Sequence, residues 1–224
     1  MKKVLAIALV LCLVLGAAFA AKGDIKVGGQ LGYVGAFSNQ KVAEDSNNYI
    51  QTKANVGGFG FEVGGLYDVT DEISVKAELG LAFFGKATGR VTTCIAGNKS
   101  TTDPAKSEEN TPMRFTTYVG GQYAYAINKE FKVAGGAGLD IALGKESTAD
   151  DAKTLFSLGV GAELTGSYAI NKNIEVLLGA RYSFFFVNSS ETIKNAKKAA
   201  EDYGAKLTVN TSALRIFAGC TYKI

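Results

Sequence analysis

An all-β fold, an eight-stranded up-and-down antiparallel barrel, is predicted by three features of the sequence. First, an aromatic residue, a tight polar corner and a resumed apolar/polar alternation recur at residues 67–75, 125–133 and 168–176. Each copy is typical of a β-hairpin turn with its flanking strands. Second, the alternation has period two in eight segments, and third, short corners alternate strictly with longer polar loops. Such a meander has all its corners at one end, and closure removes its exposed edges.

The N-terminus predicts export from the cytoplasm. A basic start, Met1–Lys3, precedes an apolar run over Val4–Leu15, and Ala18–Ala20 has the A-x-A form of a cleavage site. This is the pattern of a secretory signal peptide over residues 1–20. A single domain is therefore expected over residues 21–224.

Two other interpretations of the N-terminus are weaker. A membrane anchor is disfavoured because the apolar run is short for a spanning helix. Lipoprotein processing at Cys12 is disfavoured because Leu11 precedes it, where a small residue is expected. Removal of Lys2 and Lys3 would lower the formal net charge from +3 to +1, so the charge gives no reason to expect a nucleic-acid partner.

Taken in order, each predicted strand carries apolar residues at every second position. The strands are expected over residues 25–37, 55–67, 73–83, 115–125, 131–143, 156–168, 174–186 and 214–224. At 11 to 13 residues they are long enough to cross a bilayer, for which a strand needs 9–11. Polar loops are expected at 38–49, at 88–112, for about ten residues from Gly144, and at 189–207.

The last of these loops has a pattern of its own. Apolar residues recur there at helical spacing, Ser190 suits an N-cap and Gly204 suits a C-cap. The segment is either a short helix within a loop or a polar insertion whose periodicity is accidental.

The two faces of the strands predict a transmembrane barrel with short periplasmic turns and long extracellular loops. The alternate face is charged and rich in glycine, which suits the narrow interior of eight strands. The apolar face carries tyrosines at the corner end and phenylalanines near the loop end, as the two aromatic girdles of an outer-membrane barrel do. The periplasmic girdle is expected to contain Tyr67, Tyr125, Tyr168 and Tyr222. A secreted soluble barrel with an apolar calyx, like a lipocalin, is the alternative.

Opposite charges are expected to pair inside the barrel. If each corner tyrosine pairs with the apolar residue six positions on, three diagonal pairs form: Glu62 with Lys76, Arg114 with Asp140, and Glu163 with Arg181. A structural role is favoured, since a narrow lumen must pair its charges. An ion path or gate lined by the same residues is the alternative.

The sequence lacks the usual signs of catalysis and of metal binding. It contains no histidine, and no Ser/Lys or carboxylate dyad stands out. Neither a cofactor nor a metal site is expected. Cys94 and Cys220 are expected at opposite ends of the barrel, too far apart for a disulfide.

The three tyrosine-led turns and the closing Tyr222-Lys223-Ile224 resemble the small outer-membrane barrels of Gram-negative bacteria. These include the OmpA transmembrane domain, OmpX and Ail-like proteins, OmpW and the opacity proteins. The resemblance covers the predicted mature chain and implies an integral protein of the cell outer membrane without catalysis. It implies outer-membrane lipid as a partner, and the assembly machinery as a partner of the C-terminal strand. Ile224 departs from the usual terminal aromatic residue, and the absence of tryptophan departs from typical girdles.

Two functions are therefore considered for such a barrel. The first is a structural or surface-interaction role, adhesin-like, in which residues 88–112 and 189–207 face an extracellular ligand. The second is a narrow channel for small or apolar solutes, which the OmpW resemblance suggests.

Overall fold

The computed structural model describes residues 23–145 and 153–224. The predicted signal peptide, residues 1–20, lies outside these ranges and stays a prediction. Within them no helix has the length and apolarity to span a membrane.

The described chain folds into eleven strands and one helix. The strands are β1 (Ile25–Ala43), β2 (Tyr49–Asp68), β3 (Ile73–Phe84), β4 (Lys86–Ile95), β5 (Asn98–Thr101), β6 (Ala105–Asn110), β7 (Arg114–Ala126), β8 (Phe131–Lys145), β9 (Thr154–Ala169), β10 (Ile174–Asn188) and β11 (Lys206–Lys223). The helix, α1, spans Glu191–Asp202 and precedes β11.

Eight of these strands close into the predicted antiparallel barrel. Around the ring they run β1, β2, β3, β7, β8, β9, β10 and β11, and β11 pairs with β1. Val27 shows the closure, because it lies opposite Gly65 of β2 on one side and Tyr222 of β11 on the other. The eight described ring strands leave no free edge at membrane depth, as a bilayer requires.

The apolar face of the strands points outward. Leu31, Leu79, Leu164 and Leu178 are between 59% and 65% exposed, although leucine is normally buried in a water-soluble fold. The charged face points into the lumen, where Arg181 is 2% exposed. This inverted distribution suits lipid outside and packed polar groups inside.

The three repeated corners share one turn, and it corrects the predicted register. Tyr67 lies opposite Val75, Tyr125 opposite Val133 and Tyr168 opposite Val176, eight positions on rather than six. The difference arises because each turn is longer than expected.

A side-chain oxygen organises each of these turns. Asn128 Oδ1 accepts hydrogen bonds from the N–H groups of Glu130 (2.9 Å) and Phe131 (2.7 Å). Asn171 Oδ1 and Thr70 Oγ1 accept from the corresponding N–H groups of the other two turns. Short polar side chains favour such local bonds over strand pairing, which fixes the turn.

The predicted loops at 38–49 and 88–112 are wrong as loops, because most of their residues form strands. β1 and β2 stay paired as far as Ala43 and Tyr49, and β4 continues the sheet by pairing with residues 49–55 of β2. β5 and β6 then pair with β4. Beyond the bilayer such strands need no apolar face, so their sequence lacks the period-two signal. The upper parts of β11, β1 and β2, with β4, β5 and β6, are named the extracellular sheet.

The predicted helix in 189–207 is present. Ser190 is its N-cap, and its Oγ accepts a hydrogen bond from the N–H of Ile193 at 3.3 Å. The helix ends at the C-cap Tyr203, so Gly204, the predicted C-cap, stands one position beyond the observed cap and has a φ of 69°. Glycine adopts this left-handed conformation readily, and it is the usual residue just after a helix.

Candidate functional site

The middle of the lumen is filled by six charged side chains from five strands, and these are named the plug. Three are cations and three are anions, so their formal charges cancel. Each is 9% exposed or less. The plug consists of Lys76, Arg181, Arg215, Glu62, Glu78 and Glu163.

Arg181 lies at the centre of the plug. Its Nε donates to Glu163 Oε2 at 2.8 Å, and its Nη2 donates to the same oxygen at 2.6 Å and to Glu78. Its Nη1 lies 3.5 Å from Glu62 Oε1. The guanidinium thus bridges three carboxylates, which its planar set of N–H donors permits.

Arg181 and Glu163, which the sequence placed on a diagonal, lie directly opposite one another on β10 and β9. The predicted pairing of Lys76 with Glu62 is wrong. Lys76 Nζ instead contacts Glu163 Oε1 at 2.6 Å and Glu78 Oε1 at 2.8 Å. Glu62 pairs with Arg215, and it also accepts from Gln30 at 2.6 Å. The Lys76–Glu163 and Glu62–Arg215 contacts cross the lumen between strands that are not neighbours, so adjacent-strand register cannot predict them.

The predicted pairing of Arg114 with Asp140 is also wrong. Arg114 lies opposite Gly144, and Asp140 lies opposite Tyr118. Asp140 accepts a hydrogen bond from Ser183 Oγ at 2.5 Å. Arg114 instead stacks against Phe84, with 5.4 Å between its guanidinium carbon and the ring centroid.

Two aromatic residues of the plug region were missed by the sequence reasoning. Tyr118 and Phe217 are each 2% exposed and point into the lumen, where both rings lie near the guanidinium of Arg181. Their positions on the charged face of β7 and β11 were the available signal. A large ring on the interior face of a narrow barrel must fill the bore.

The plug separates two cavities in the lumen. The periplasmic one, of about 80 Å³, is lined by Lys26, Lys76 and Glu175 among others. The outer one, of about 310 Å³, is lined by Arg114, Asp140 and Arg181 among others, and is named the vestibule. Because buried side chains fill the space between them, the described lumen is closed at its centre.

Three of the four tyrosines expected in the periplasmic girdle are exposed, and the fourth is not. Tyr125, Tyr168 and Tyr222 are 66%, 49% and 52% exposed at the turn end of the barrel. Tyr67 lies at the same level but is only 7% exposed, and the backbone of Gly23 packs against its ring. Gly23, just before β1, therefore covers a tyrosine that was expected to face lipid.

The extracellular sheet carries α1 and is held together at its tips. A groove lined by Val42 and Ile50 of the sheet and by Ala196 and Ala199 of α1 runs between them. The tip of the β1–β2 hairpin contacts the tip of the β4–β5 hairpin, because Asn48 Oδ1 accepts from the N–H of Ala96 at 2.9 Å. This surface is thus a folded unit rather than a set of independent loops.

Asp45 shapes the tip of the β1–β2 hairpin. Its Oδ1 accepts hydrogen bonds from the N–H groups of Asn47 and Asn48 at 2.6 and 2.8 Å. These hydrogen bonds hold the pKa of the Asp45 carboxyl below its usual range, and the bond from the Asn47 N–H has the largest effect. The turn is therefore stabilised at every pH at which the Asp45 carboxylate is ionised.

No group of three or more metal-ligating side chains occurs among residues 23–145 and 153–224. Both cysteines in that part of the chain are free, Cys94 buried and Cys220 exposed.

Comparisons with known proteins support the fold and place the chain in a family. The structure is similar to that of Neisserial surface protein A, NspA, with a TM-score of 0.54 and 13% identity over 89% of this chain and 97% of that one. It is also similar to OprG of Pseudomonas aeruginosa (TM-score 0.43, 14% identity, 90% and 96% covered). A third is Ail, the attachment invasion locus protein of Yersinia pestis (0.41, 12%, 88% and 99%). At these identities the likeness to NspA shows the fold alone.

The searched curated proteins include none that matches this sequence. The profile of the outer membrane protein β-barrel domain, by contrast, matches residues 5–215. With the lipid-facing apolar surface, this match excludes the secreted soluble barrel. The chain belongs to the outer membrane protein β-barrel domain family and is an integral protein of the cell outer membrane.

Proposed function

We propose that this barrel is a non-catalytic outer-membrane protein whose role is structural and adhesin-like, through contact of its extracellular sheet and α1 with a ligand outside the cell. The closed lumen is the observation that carries the proposal. Arg181, Tyr118, Phe217 and Glu62 are each 2% exposed at its centre. A conducting pore would need water there, whereas these side chains pack against one another.

The build of the outer surface also supports a binding role. β5 and β6 are exposed throughout, and the hairpin tips are linked by hydrogen bonds. Association with a partner costs less entropy when the binding surface is already ordered. A rigid sheet with solvated strands is thus suited to present side chains to a macromolecule.

A narrow channel is the alternative function. It would require the plug to open, and opening would leave charges from six side chains without their present partners. Removing one partner from a buried ion pair typically costs about 3–5 kcal/mol. Solute passage is therefore the second candidate function, after surface interaction.

The pairing of β3 with β7 suggests a deletion that can distinguish the two candidate functions. Ala82 of β3 lies opposite Arg114 of β7, so replacing residues 85–111 with Asn-Gly joins the two strands by a tight turn. We expect bacteria that display this variant to lose binding to immobilised matrix proteins and cultured cells. Liposomes containing it should keep the solute permeability of wild-type liposomes.

Lys129→Gln, in a periplasmic turn, is the control and should leave both properties unchanged. Folding of each variant is checked by heat-modifiable mobility on a detergent gel. Unchanged cell binding by the folded deletion variant would contradict the proposal, and faster solute passage through wild-type liposomes than through protein-free liposomes would favour the channel.

A further inference from the structure

The vestibule has the polarity of a binding site. It has a volume of about 310 Å³ and opens toward the extracellular side of the plug. Small-molecule sites commonly begin at about this size and combine an apolar wall with a few convergent polar groups. Here the apolar wall includes Val34, Phe84 and Leu155, and the polar groups are hydroxyls and guanidinium groups.

Among the described residues, Arg114 is the one cation of this cavity without an anionic partner. Its Nε is buried and has no hydrogen-bond acceptor among the described residues. The side chain is nevertheless held in place, because Phe84 stacks on the guanidinium and Gly144 leaves room for its Cγ. A buried charged donor without an acceptor is costly, so an oxyanion at this point would relieve an existing penalty.

Arg181 and Arg215, also in the cavity wall, do not have this freedom. Arg181 is engaged by three carboxylates, and Arg215 pairs with Glu62 and donates to Thr116 Oγ1 at 3.4 Å. Arg114 therefore has donor capacity that the plug does not use.

The start of α1 borders the same cavity. Its N-cap Ser190 and Ile193 both line the vestibule. The N-terminus of a helix carries partial positive charge, which favours anions nearby. This partial positive charge is independent of Arg114, and like the charge of Arg114 it attracts an anion.

One group in the wall opposes an anion. Asp140 is negatively charged when ionised, but it lies four positions deeper along β8 than Gly144, the residue opposite Arg114. That offset corresponds to about 13 Å along the strand. Asp140 also accepts a hydrogen bond from Ser183, so its charge is partly satisfied within the wall.

From these contacts we infer that the vestibule binds a small free oxyanion, a phosphate or carboxylate group, with Arg114 as its principal ligand. The function of the site is distinct from the surface interaction proposed above. A solute bound in the vestibule would stay at the extracellular mouth of the barrel and would not need to pass through the plug.

Calorimetric titration with inorganic phosphate, at constant ionic strength and in detergent micelles, tests this inference. Wild-type protein should show saturable binding. Arg114→Gln should weaken it about tenfold or more, because hydrogen bonds to a charged group are lost. Arg114→Lys should weaken it less, since a point charge remains without the fork of N–H donors.

Lys129→Gln is the charge-matched control at the opposite end of the barrel and should bind phosphate as wild type does. If an anionic detergent headgroup is the true occupant, it should compete with phosphate. The loss of phosphate binding should then increase with the mole fraction of that detergent in the micelle.

The inference fails if wild type shows no saturable binding. It fails equally if Arg114→Gln, folded by the gel criterion, binds like wild type, or if Lys129→Gln loses binding to the same extent. Competition by the headgroup would assign the site to a lipid phosphate and overturn the free oxyanion.

Discussion

The guanidinium carbon of Arg181 lies 3.8 Å from the centroid of the Tyr118 ring. This contact joins the ion pairs of the plug to the aromatic filling of the lumen. A desolvated cation over an aromatic face gains about 2 kcal/mol, and the ring also excludes water from the carboxylates that Arg181 bridges. Both effects depend on Tyr118 filling the bore.

Arg181→Ala should therefore destabilise the barrel far more than it changes conductance. It leaves Glu62, Glu78 and Glu163 buried with one fewer cation, which we expect to cost about 3–5 kcal/mol. Urea unfolding in lipid vesicles measures the free energy, and planar-bilayer recordings measure the conductance.

Arg90→Ala is the matched control, because Arg90 is exposed on β4. Its substitution should change the free energy of unfolding by less than about 0.5 kcal/mol. A large conductance increase in Arg181→Ala at unchanged stability would refute the structural role of the plug.

The positions of the barrel strands could be predicted because each one separates lipid from lumen. That separation imposes period two on the sequence, and Leu31 and Leu178 show it as clearly as Glu62 and Arg181 do. β4, β5 and β6 were not predicted as strands, since no membrane imposes alternation on them. Their pairing is visible only once β2 is seen to extend as far as Tyr49.

The partners inside the lumen could not be predicted for a different reason. Lys76 of β3 contacts Glu163 of β9, and these strands are separated by two others around the ring. Such contacts depend on the diameter and shear of the closed barrel, which no local pattern encodes. The predicted diagonals Glu62–Lys76 and Arg114–Asp140 used neighbouring strands alone, and the structure forms neither.

Gly32 should not tolerate a side chain. A Cβ there would lie 2.0 Å from the carbonyl oxygen of Ile216 and 2.6 Å from Phe217 Cα, both on the paired strand β11. Backbone atoms in a ladder cannot move aside, so Gly32→Ala should cost at least the 1–3 kcal/mol typical of overpacking. Gly135→Ala is the comparison, because a Cβ there meets nothing within 4 Å. Equal unfolding midpoints for the two variants in urea would contradict this account.

Asn128 should contribute to stability through its oxygen rather than its amide. Asn128→Ala removes the acceptor for the N–H groups of Glu130 and Phe131, and we expect a loss of about 1–2 kcal/mol. Asn128→Asp keeps the acceptor and should remain close to wild type. Refolding into lipid vesicles, followed on a detergent gel, provides both stability and rate. An alanine variant as stable as the aspartate variant would show that the turn forms without this bond.

The two cysteines should show which surfaces of the barrel are covered by lipid and which are buried. Cys220 is exposed on the outer surface of β11, opposite Gly29 of β1, and Cys94 is 2% exposed in β4. Because lipid covers the outer surface at this level, we expect an apolar maleimide to label Cys220 in vesicles and a charged one to fail. Cys94 should resist both reagents until the protein is unfolded. Cys220→Ser and Cys94→Ser assign each signal, and rapid labelling of Cys220 by the charged reagent in intact vesicles would place this surface in water instead.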